Sequence, residues 1–286
     1  MKLRDLLVVL DGSARTETVL GVATTLARRH DAHLTGFCPL EALMPTNLSF
    51  ALGGYPALTS LQGAVEQLEG EALAKAEVLE AKFREQLGRN KLQGGWEVGR
   101  GVAGDVAARR ARTVDLVVLG QADPDHPLPP SARGLVEDVL MNSGRPVLLV
   151  PFAGRFDTFG SSVLIGWNAT REAARAVHDA LPLIDPKAMV TVLTVERGRP
   201  GAELHETPGA DIAAHLARWG LTVTAARTAT DRSISDGDAL LSYASDIGAD
   251  LIVVGGYGHS RARELVLGGV SRGLLQHMTV PVLMSH

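Results

Sequence analysis

The sequence is poor in cysteine and has no excess of basic residues. Cys38 is the single cysteine among 286 residues, so the chain has neither an internal disulfide nor a cysteine-rich zinc or iron–sulfur site, which fits a reducing compartment. Lys and Arg number 28 against 32 Asp and Glu, a formal net charge of −4 at pH 7. This mildly acidic balance argues against nonspecific binding to nucleic acid or to an anionic membrane, since both need a basic surface.

Long apolar stretches are also missing. No segment approaches the roughly 20 apolar residues of a membrane span. The first apolar run, Leu6 to Leu10, ends at Asp11 and is shorter than the apolar core of a signal peptide, about 7–15 residues. We therefore expect a cytoplasmic protein.

What the chain does have is the composition of a globular protein with extra glycine. Hydrophobic residues make up 45% and charged residues 21% of the sequence, which argues against disorder. The length predicts one large domain or two of ordinary size. Glycine occurs 31 times, more often than in an average protein.

The sequence contains an internal repeat of two copies. The matched positions are Asp115 with Asp250, Pro146 with Pro281, and Asp11 with Asn168. The first two pairs are 135 residues apart and the third is 157 apart, so the first half carries about 157 − 135 = 22 extra residues. Two copies indicate a tandem duplication rather than a solenoid. We predict domains at residues 1–153 and 161–286, joined by a linker from Pro151 to Ser161.

Each half is predicted to alternate strands and helices, which is typical of a parallel sheet covered by helices on both faces. Short apolar runs predict strands at Leu6–Leu10, Leu34–Cys38, Trp96–Val98, Leu116–Leu119, Val147–Val150, Val163–Ile165, Val190–Val195, Leu221–Ala225, Leu251–Val254 and Val282–Met284. Helical spacing predicts three apolar faces: Val19, Val22, Ala23 and Leu26; Leu68, Ala72, Ala76, Leu79, Phe83 and Leu87; and Leu240, Tyr243, Ala244 and Ile247.

Helix starts and the extra segment are less regular. The hydroxyls of Ser13 and Thr170 predict helix N-caps. The extra residues fall near Pro39 to Gly63, a stretch that is apolar for a loop. Two readings stay open for it: packing against its own or a partner subunit, or a wall or lid for a ligand.

The glycine excess is concentrated after the fourth strand of the second half. The spacing is Gly255-x2-Gly258-x9-Gly268, with His259, Arg261 and Arg263 adding positive charge nearby. Glycines at the carboxyl end of a parallel strand let backbone N–H groups approach an anion, and a helix that follows directs its positive end to the same place. The pattern lacks the Gly-Lys-Ser/Thr of a Walker loop and the Gly-x-Gly-x-x-Gly of a dinucleotide fingerprint.

This pattern resembles the nucleotide-binding signature of the universal stress protein family, Gly-x2-Gly-x9-Gly followed by Ser or Thr. The resemblance covers the whole chain as two fused copies. It implies an α/β fold of two tandem five-stranded parallel-sheet, Rossmann-like domains packed as an intramolecular pseudo-dimer. It also implies an adenine nucleotide, ATP or ADP with or without Mg²⁺, in the second half. The implied cofactor-binding residues are Trp167, Asn168, Val195, Gly255, Gly258, His259, Arg261, Gly268, Gly269, Val270 and Ser271.

Two positions depart from the family pattern. Asn168 stands where the family has Asp at the end of the first strand, and Gly269 stands where it has Ser or Thr. Asn keeps an acceptor and gains donors, and Ser271 lies one turn further along to supply a hydroxyl. A second reading is that Gly255 and Gly258 only form the turn and allow close helix packing.

The first half shows the opposite defect. It keeps Asp11-Gly12-Ser13, but its glycine loop is replaced by a segment with four prolines, from Pro124 to Pro130, together with Asp123 and Asp125. Proline removes backbone donors and the carboxylates repel phosphate, so we expect no nucleotide there. Gly101 and Gly104 are expected to form a turn before a helix.

The remaining constellations predict no chemistry. His30-x2-His33 has no third ligand nearby in sequence, so we expect no metal site, and Cys38 is expected to be a buried apolar residue. No recognisable catalytic group accompanies the glycine loop. The leading hypothesis is therefore a nucleotide-binding protein with a stress-response or regulatory role. A slow ATPase or phosphotransferase and a nucleotide-free interaction scaffold are the alternatives.

Assembly is predicted from the two short apolar edge candidates, Val147–Val150 and Val282–Met284. They are expected to face each other within one chain, so that each covers the other's unpaired backbone groups. The Pro39–Gly63 segment is the candidate surface for a further homodimer.

Overall fold

The structure, a computed structural model, describes residues 2–40, 57–122, 134–197, 209–230, 234–256 and 269–286. The first half contains β1 (Asp5–Val9), α1 (Thr16–His30), β2 (His33–Leu40), α2 (Ala57–Asn90), β3 (Gly94–Arg100), α3 (Ala103–Ala111), β4 (Leu116–Gly120), α4 (Leu135–Asn142) and β5 (Val147–Val150). The second half contains β6 (Ser162–Gly166), α5 (Arg171–Ala180), β7 (Met189–Arg197), α6 (Ala210–Ala217), β8 (Thr222–Thr230), α7 (Asp236–Asp246), β9 (Leu251–Gly255), α8 (Gly269–His277) and β10 (Val282–Ser285).

The predicted α/β class is confirmed, and each of the ten predicted strands lies within a few residues of an observed one. The strands form one sheet in the order β3-β2-β1-β4-β5-β10-β9-β6-β7-β8. All pairs within a half are parallel. The two halves meet where β10 pairs antiparallel with β5, with Leu283 opposite Leu148.

Alternate side chains of the strands supply two cores, one on each face of the sheet. Leu6 and Val8 of β1 belong to the core beneath α1, α2, α5 and α6. Leu7 and Val9 belong to the core beneath α3, α4, α7 and α8. The near-continuous apolar runs of the sequence follow from this arrangement, because a strand covered on both faces needs apolar residues at every position.

The duplication is visible in the backbone contacts of the two halves. The Asp115 amide donates to the Asp5 carbonyl at 2.8 Å, and the Asp250 amide donates to the Ser162 carbonyl at 2.8 Å. The Asp115 carboxylate accepts from the amides that begin β1, and the Asp250 carboxylate accepts from those that begin β6. The repeated aspartate therefore fixes the entry of the first strand in both halves.

The prediction for the first helix start is wrong in one half. Thr170 is the N-cap of α5, where its Oγ1 accepts from the Ala173 amide at 3.3 Å. Ser13 does not cap α1, because the chain makes one more turn and the helix begins at Thr16. The Ser13 carbonyl accepts from the Thr16 amide in that turn.

The predicted apolar face of α2 is confirmed except at its first member. Ala76, Leu79, Phe83 and Leu87 are buried, whereas Leu68 is 47% exposed. At about 1.5 Å per residue a helix of 34 residues is longer than the strands beside it, so its first turns extend past the core. The loop in the extra segment was predicted near Pro39 to Gly63. The observed gap between the two elements is shorter, because β2 continues to Leu40 and α2 begins at Ala57. Residues 41–56 lie outside the described residues.

Candidate functional site

The strand order creates one crevice in each half at the carboxyl end of the sheet. In the second half β6 lies between β7 and β9. The connection from β6 leads to β7 on one side, and the connection from β9 leads to β10 on the other. Ligands of such sheets bind where the strand order reverses, which here is between the ends of β6 and β9.

The structure describes seven of the predicted site residues, and six of them lie near this reversal. Trp167 and Asn168 follow β6, Gly255 is the last residue of β9, and Val270 and Ser271 lie in the first turn of α8. Gly269 begins that helix. Gly258, His259, Arg261 and Gly268 lie outside the described residues.

Val195 was predicted to end its strand, but it lies inside β7. Strand β7 continues to Arg197, and Val195 pairs with Thr228 of β8. The Trp167 amide donates to the Leu193 carbonyl at 2.9 Å, so Trp167 is level with a residue two positions before Val195. The prediction ended the strand too early because Glu196 and Arg197 are charged, although both still join the ladder.

Asn168 performs the same local task as the aspartate of the first half. Its Oδ1 accepts from the Thr170 amide at 3.3 Å and from the Thr170 hydroxyl at 2.9 Å. Asp11 Oδ1 accepts from the Ser13 amide at 2.9 Å. Either side chain can form this turn, because both provide a carbonyl-type acceptor at the same position.

Gly255 is required by packing. A Cβ placed on it would lie 2.5 Å from the Ala173 nitrogen and 2.6 Å from the Glu172 carbonyl carbon. The first turn of α5 therefore lies directly against the end of β9. Close helix packing is sufficient to explain why a glycine stands at position 255. The same packing brings the N-terminus of α5 to the crevice.

Glu172 is buried in that turn, with 7% of its side chain exposed. Burial raises the pKa of this carboxyl, but hydrogen bonds from Arg171, from its own backbone and from Thr170 outweigh burial and lower the pKa overall. The negative charge at the start of α5 is thus already compensated within the chain.

Helix α8 has a different first turn. Its first turn contains no acidic residue, and its fourth residue, Arg272, is exposed. The equivalent helix of the first half, α4, carries Glu137 and Asp138 in its first turn. These residues occupy the positions of Arg272 and Gly273 at the offset of 135. Burial raises the pKa of the Asp138 carboxyl, and Asp105 and Glu137 raise it further.

Helices α7 and α8 bring their first turns together. A Cβ on Gly237 of α7 would lie 3.1 Å from the Val270 carbonyl oxygen and 3.5 Å from the Gly273 Cα. Ser271 is buried, with 3% of its surface exposed. The first turn of α8 is therefore held by α7 on one side.

Comparison with known proteins gives a family for this half. The sequence model described as the universal stress protein family matches residues 161–286. Residues 161–286 belong to the universal stress protein family. No curated protein matches the chain by sequence.

Solved structures extend the fold to the first half. A universal stress protein from Archaeoglobus fulgidus DSM 4304 is 13% identical, with a TM-score of 0.70, and the match covers 98% of this chain and 97% of that one. A putative universal stress protein from Pseudomonas aeruginosa UCBPP-PA14 is 15% identical, with a TM-score of 0.58, and the match covers 99% and 93%. A functionally unknown protein from Pseudomonas aeruginosa PAO1 is 15% identical, with a TM-score of 0.58, and the match covers 99% and 92%. The whole chain thus has the tandem fold of universal stress proteins.

The crevice of the first half is lined differently. Gly12 has a left-handed backbone, with φ of 74°, and a Cβ placed on it would overlap the Lys75 side chain. Lys75 comes from α2, the long helix that follows the extra segment. The first half therefore brings a side chain of its own to the end of β1. The proline-rich loop, with Asp123 and Asp125, lies outside the described residues.

The weaker constellations of the sequence are as follows in the structure. Cys38 is buried, and burial raises the pKa of its thiol to about 11 even though the Lys75 ammonium lies nearby. The described residues contain no group of three or more His, Cys, Asp or Glu side chains arranged to hold a metal ion. Among the helices of the described residues, none combines the length and hydrophobicity that a membrane span requires.

Two residues that the sequence interpretation did not single out bind backbone carbonyls, Arg15 in the linker and Gln121 in the second half. Arg15 donates through Nη2 to the Pro151 carbonyl at 2.9 Å and to the Gly154 carbonyl at 3.0 Å. Gln121 follows β4 and reaches α8 of the other half. No local pattern marks either side chain, since each acts on backbone carbonyls distant in sequence.

Proposed function

We propose that residues 161–286 bind one adenine nucleotide, ATP or ADP with or without Mg²⁺, and that the protein acts as a stress-response or regulatory module. The proposal is supported by membership of this half in the universal stress protein family and by its glycine pattern. In the proposed site the phosphates lie at Gly255, Gly258 and Gly268 and at the first turn of α8. Ser271 supplies a hydroxyl there, and His259 and Arg261 supply positive charge.

The observation that carries the proposal is the difference between α8 and α4. The first turn of α8 contains no carboxylate, whereas that of α4 contains Glu137 and Asp138. Phosphate is stabilised by the free N–H groups and the positive dipole end of a helix, and acidic residues there oppose it. The first turn of α8 is therefore better suited to an anion than the first turn of α4.

In the proposed site the adenine contacts Trp167, Asn168 and Val195. Because Asn168 Oδ1 is engaged by Thr170, the carboxamide is fixed and its Nδ2 is available to donate to an adenine nitrogen. Trp167 is only partly buried and packs against the core, so part of its indole remains open to a planar base.

Isothermal titration calorimetry with ATP and with ADP tests this function. We expect one site per chain. The variant Arg272→Glu, which gives α8 the charge that Glu137 gives α4, should weaken binding about tenfold, since each charge in a first turn contributes roughly 0.3–1 kcal/mol. The matched control is Arg218→Glu. It makes the same charge change at an exposed position after α6 and should bind as wild type does. Equal affinities for the two variants would contradict the assignment to α8.

A further inference from the structure

Gln121 makes three side-chain hydrogen bonds, and two of them reach the second half. Its Nε2 donates to the Leu275 carbonyl at 2.9 Å and to the Gln276 carbonyl at 3.1 Å. Its Oε1 accepts from the Phe152 amide at 2.8 Å. Only 9% of Gln121 is exposed, and its own amide donates to the Val150 carbonyl at 2.8 Å.

The two bonds to Leu275 and Gln276 satisfy carbonyls at the C-terminus of α8. The last four carbonyls of any helix lack partners within the helix. In α8 the Leu274 carbonyl accepts from the Met278 amide at 2.9 Å, and Gln121 satisfies the next two. The helix that begins at the proposed phosphate site is thus capped by a side chain of the other half.

The first half caps α8, but Gly256 of the second half cannot cap α4 in the same way. At the offset of 135, Gln121 corresponds to Gly256 and Leu275 corresponds to Leu140. Gly256 has no side chain to donate, and a Cβ on it would lie 2.8 Å from Leu140 Cδ2. Among the described residues, the last carbonyls of α4 receive a side-chain donor only from the same half, namely Arg112 Nε to the Asn142 carbonyl at 3.4 Å.

We propose that Gln121 is a positioning residue through which the first half holds α8 in place for nucleotide binding by the second half. This inference rests on the proposed function. A helix of nine residues is only about 13 Å long, so movement of its C-terminus also moves the N–H groups at its start. Fixing those groups beforehand removes an ordering cost from phosphate binding. A half that does not bind nucleotide itself thereby contributes to affinity in the other half.

The test uses the full chain with Gln121→Met, which keeps the volume of the side chain and removes its amide. The expected result is a Kd for ATP about five- to tenfold higher, within the usual range of coupling between sites, at an unchanged stoichiometry. The matched control is Arg175→Met. It removes another hydrogen bond between the halves, Arg175 Nη2 to the Gly144 carbonyl at 2.6 Å, without touching α8. Arg175→Met should keep the wild-type Kd for ATP even if its thermal unfolding midpoint is lower than that of wild type.

Amide hydrogen exchange of the nucleotide-free proteins separates this inference from the proposed function. In Gln121→Met we expect faster exchange in α8 than in wild type or in Arg175→Met. Unchanged exchange in α8, or a wild-type Kd in folded Gln121→Met, overturns the role of Gln121. Absence of ATP and ADP binding by the wild type overturns the proposed function instead, and the exchange of α8 then still decides whether Gln121 positions it.

Discussion

Residue 169 has a left-handed backbone although it is not glycine. Ala169 has φ of 56°, and its counterpart in the first half, Gly12, has φ of 74°. The turn between the first strand and its helix therefore needs this conformation in both halves. A Cβ in this region is strained by roughly 1–2 kcal/mol, so the second half keeps a strained residue beside its candidate site.

Ala169→Gly should stabilise the protein by about 0.5–1 kcal/mol, because relief of strain exceeds the entropy that glycine adds to the unfolded chain. The reverse change in the first half, Gly12→Ala, should destabilise it, since the new Cβ would also meet Lys75. Urea unfolding of both variants measures the two effects. A destabilised Ala169→Gly protein would show that the turn is not strained.

His30 gives stability a dependence on pH. It is 5% exposed, and its Nε2 has no hydrogen-bond partner. Burial lowers the pKa of this imidazole, and the charges of Arg29 and Lys2 lower it further. The unfolded chain therefore binds a proton at a higher pH than the folded protein does, so the free energy of unfolding decreases as pH falls below about 6.5.

Replacing His30 with Leu removes this titration. We expect the difference in unfolding free energy between pH 7.5 and pH 5.5 to be smaller in His30→Leu than in wild type. Denaturant titrations at the two pH values measure it. An identical difference in the two proteins would mean that the pKa of His30 is the same in the folded and unfolded chains.

Among the elements, the long helix α2 depends on a few buried side chains in its second part. Phe83 is fully buried, and its ring centroid lies 5.6 Å from that of Trp96 on β3. Phe83→Ala should cost about 3–5 kcal/mol. Val78→Ala on the same helix should change stability by less than about 0.5 kcal/mol, since Val78 is 58% exposed. Thermal or urea unfolding compares them, and similar losses for the two would contradict this packing of α2.

Elements were predictable from sequence where burial alone decides them. A strand covered on both faces is a run of apolar residues, and that pattern located β1 through β10. Charged residues at strand ends, such as Glu196 and Arg197, carry no such pattern, so β7 was ended too early. Ser13 was predicted to be an N-cap from its residue type alone. The backbone instead begins the helix three residues later, at Thr16.

At the scale of the whole molecule, one antiparallel strand pair makes a single sheet of the two halves. Leu148 and Leu283 lie opposite each other in β5 and β10, and both are fully buried. Residues 161–286 expressed alone would expose the β10 edge, and an exposed apolar edge strand pairs with another chain. We expect this fragment to dimerise, and Leu283→Lys in it to reduce dimerisation. Sedimentation velocity measures both, and a monomeric fragment would contradict the prediction.

The asymmetry between the halves was partly readable from sequence. The glycine pattern and the proline-rich loop predicted that the two halves differ, but the contrast between Arg272 and Glu137 was noticed only once α8 and α4 were located. The Gln121 cap was not readable, because it joins a side chain to two carbonyls about 154 and 155 residues away, and carbonyls carry no sequence signal.

Native mass spectrometry of the full chain titrated with ATP counts the bound nucleotides and tests the asymmetry most directly. We predict one nucleotide per chain in wild type, none in Gly258→Asp, where bulk and charge oppose phosphate at a close approach, and one in Asn168→Asp. Two nucleotides per wild-type chain, or one that persists in Gly258→Asp, would contradict the assignment of the site to the second half.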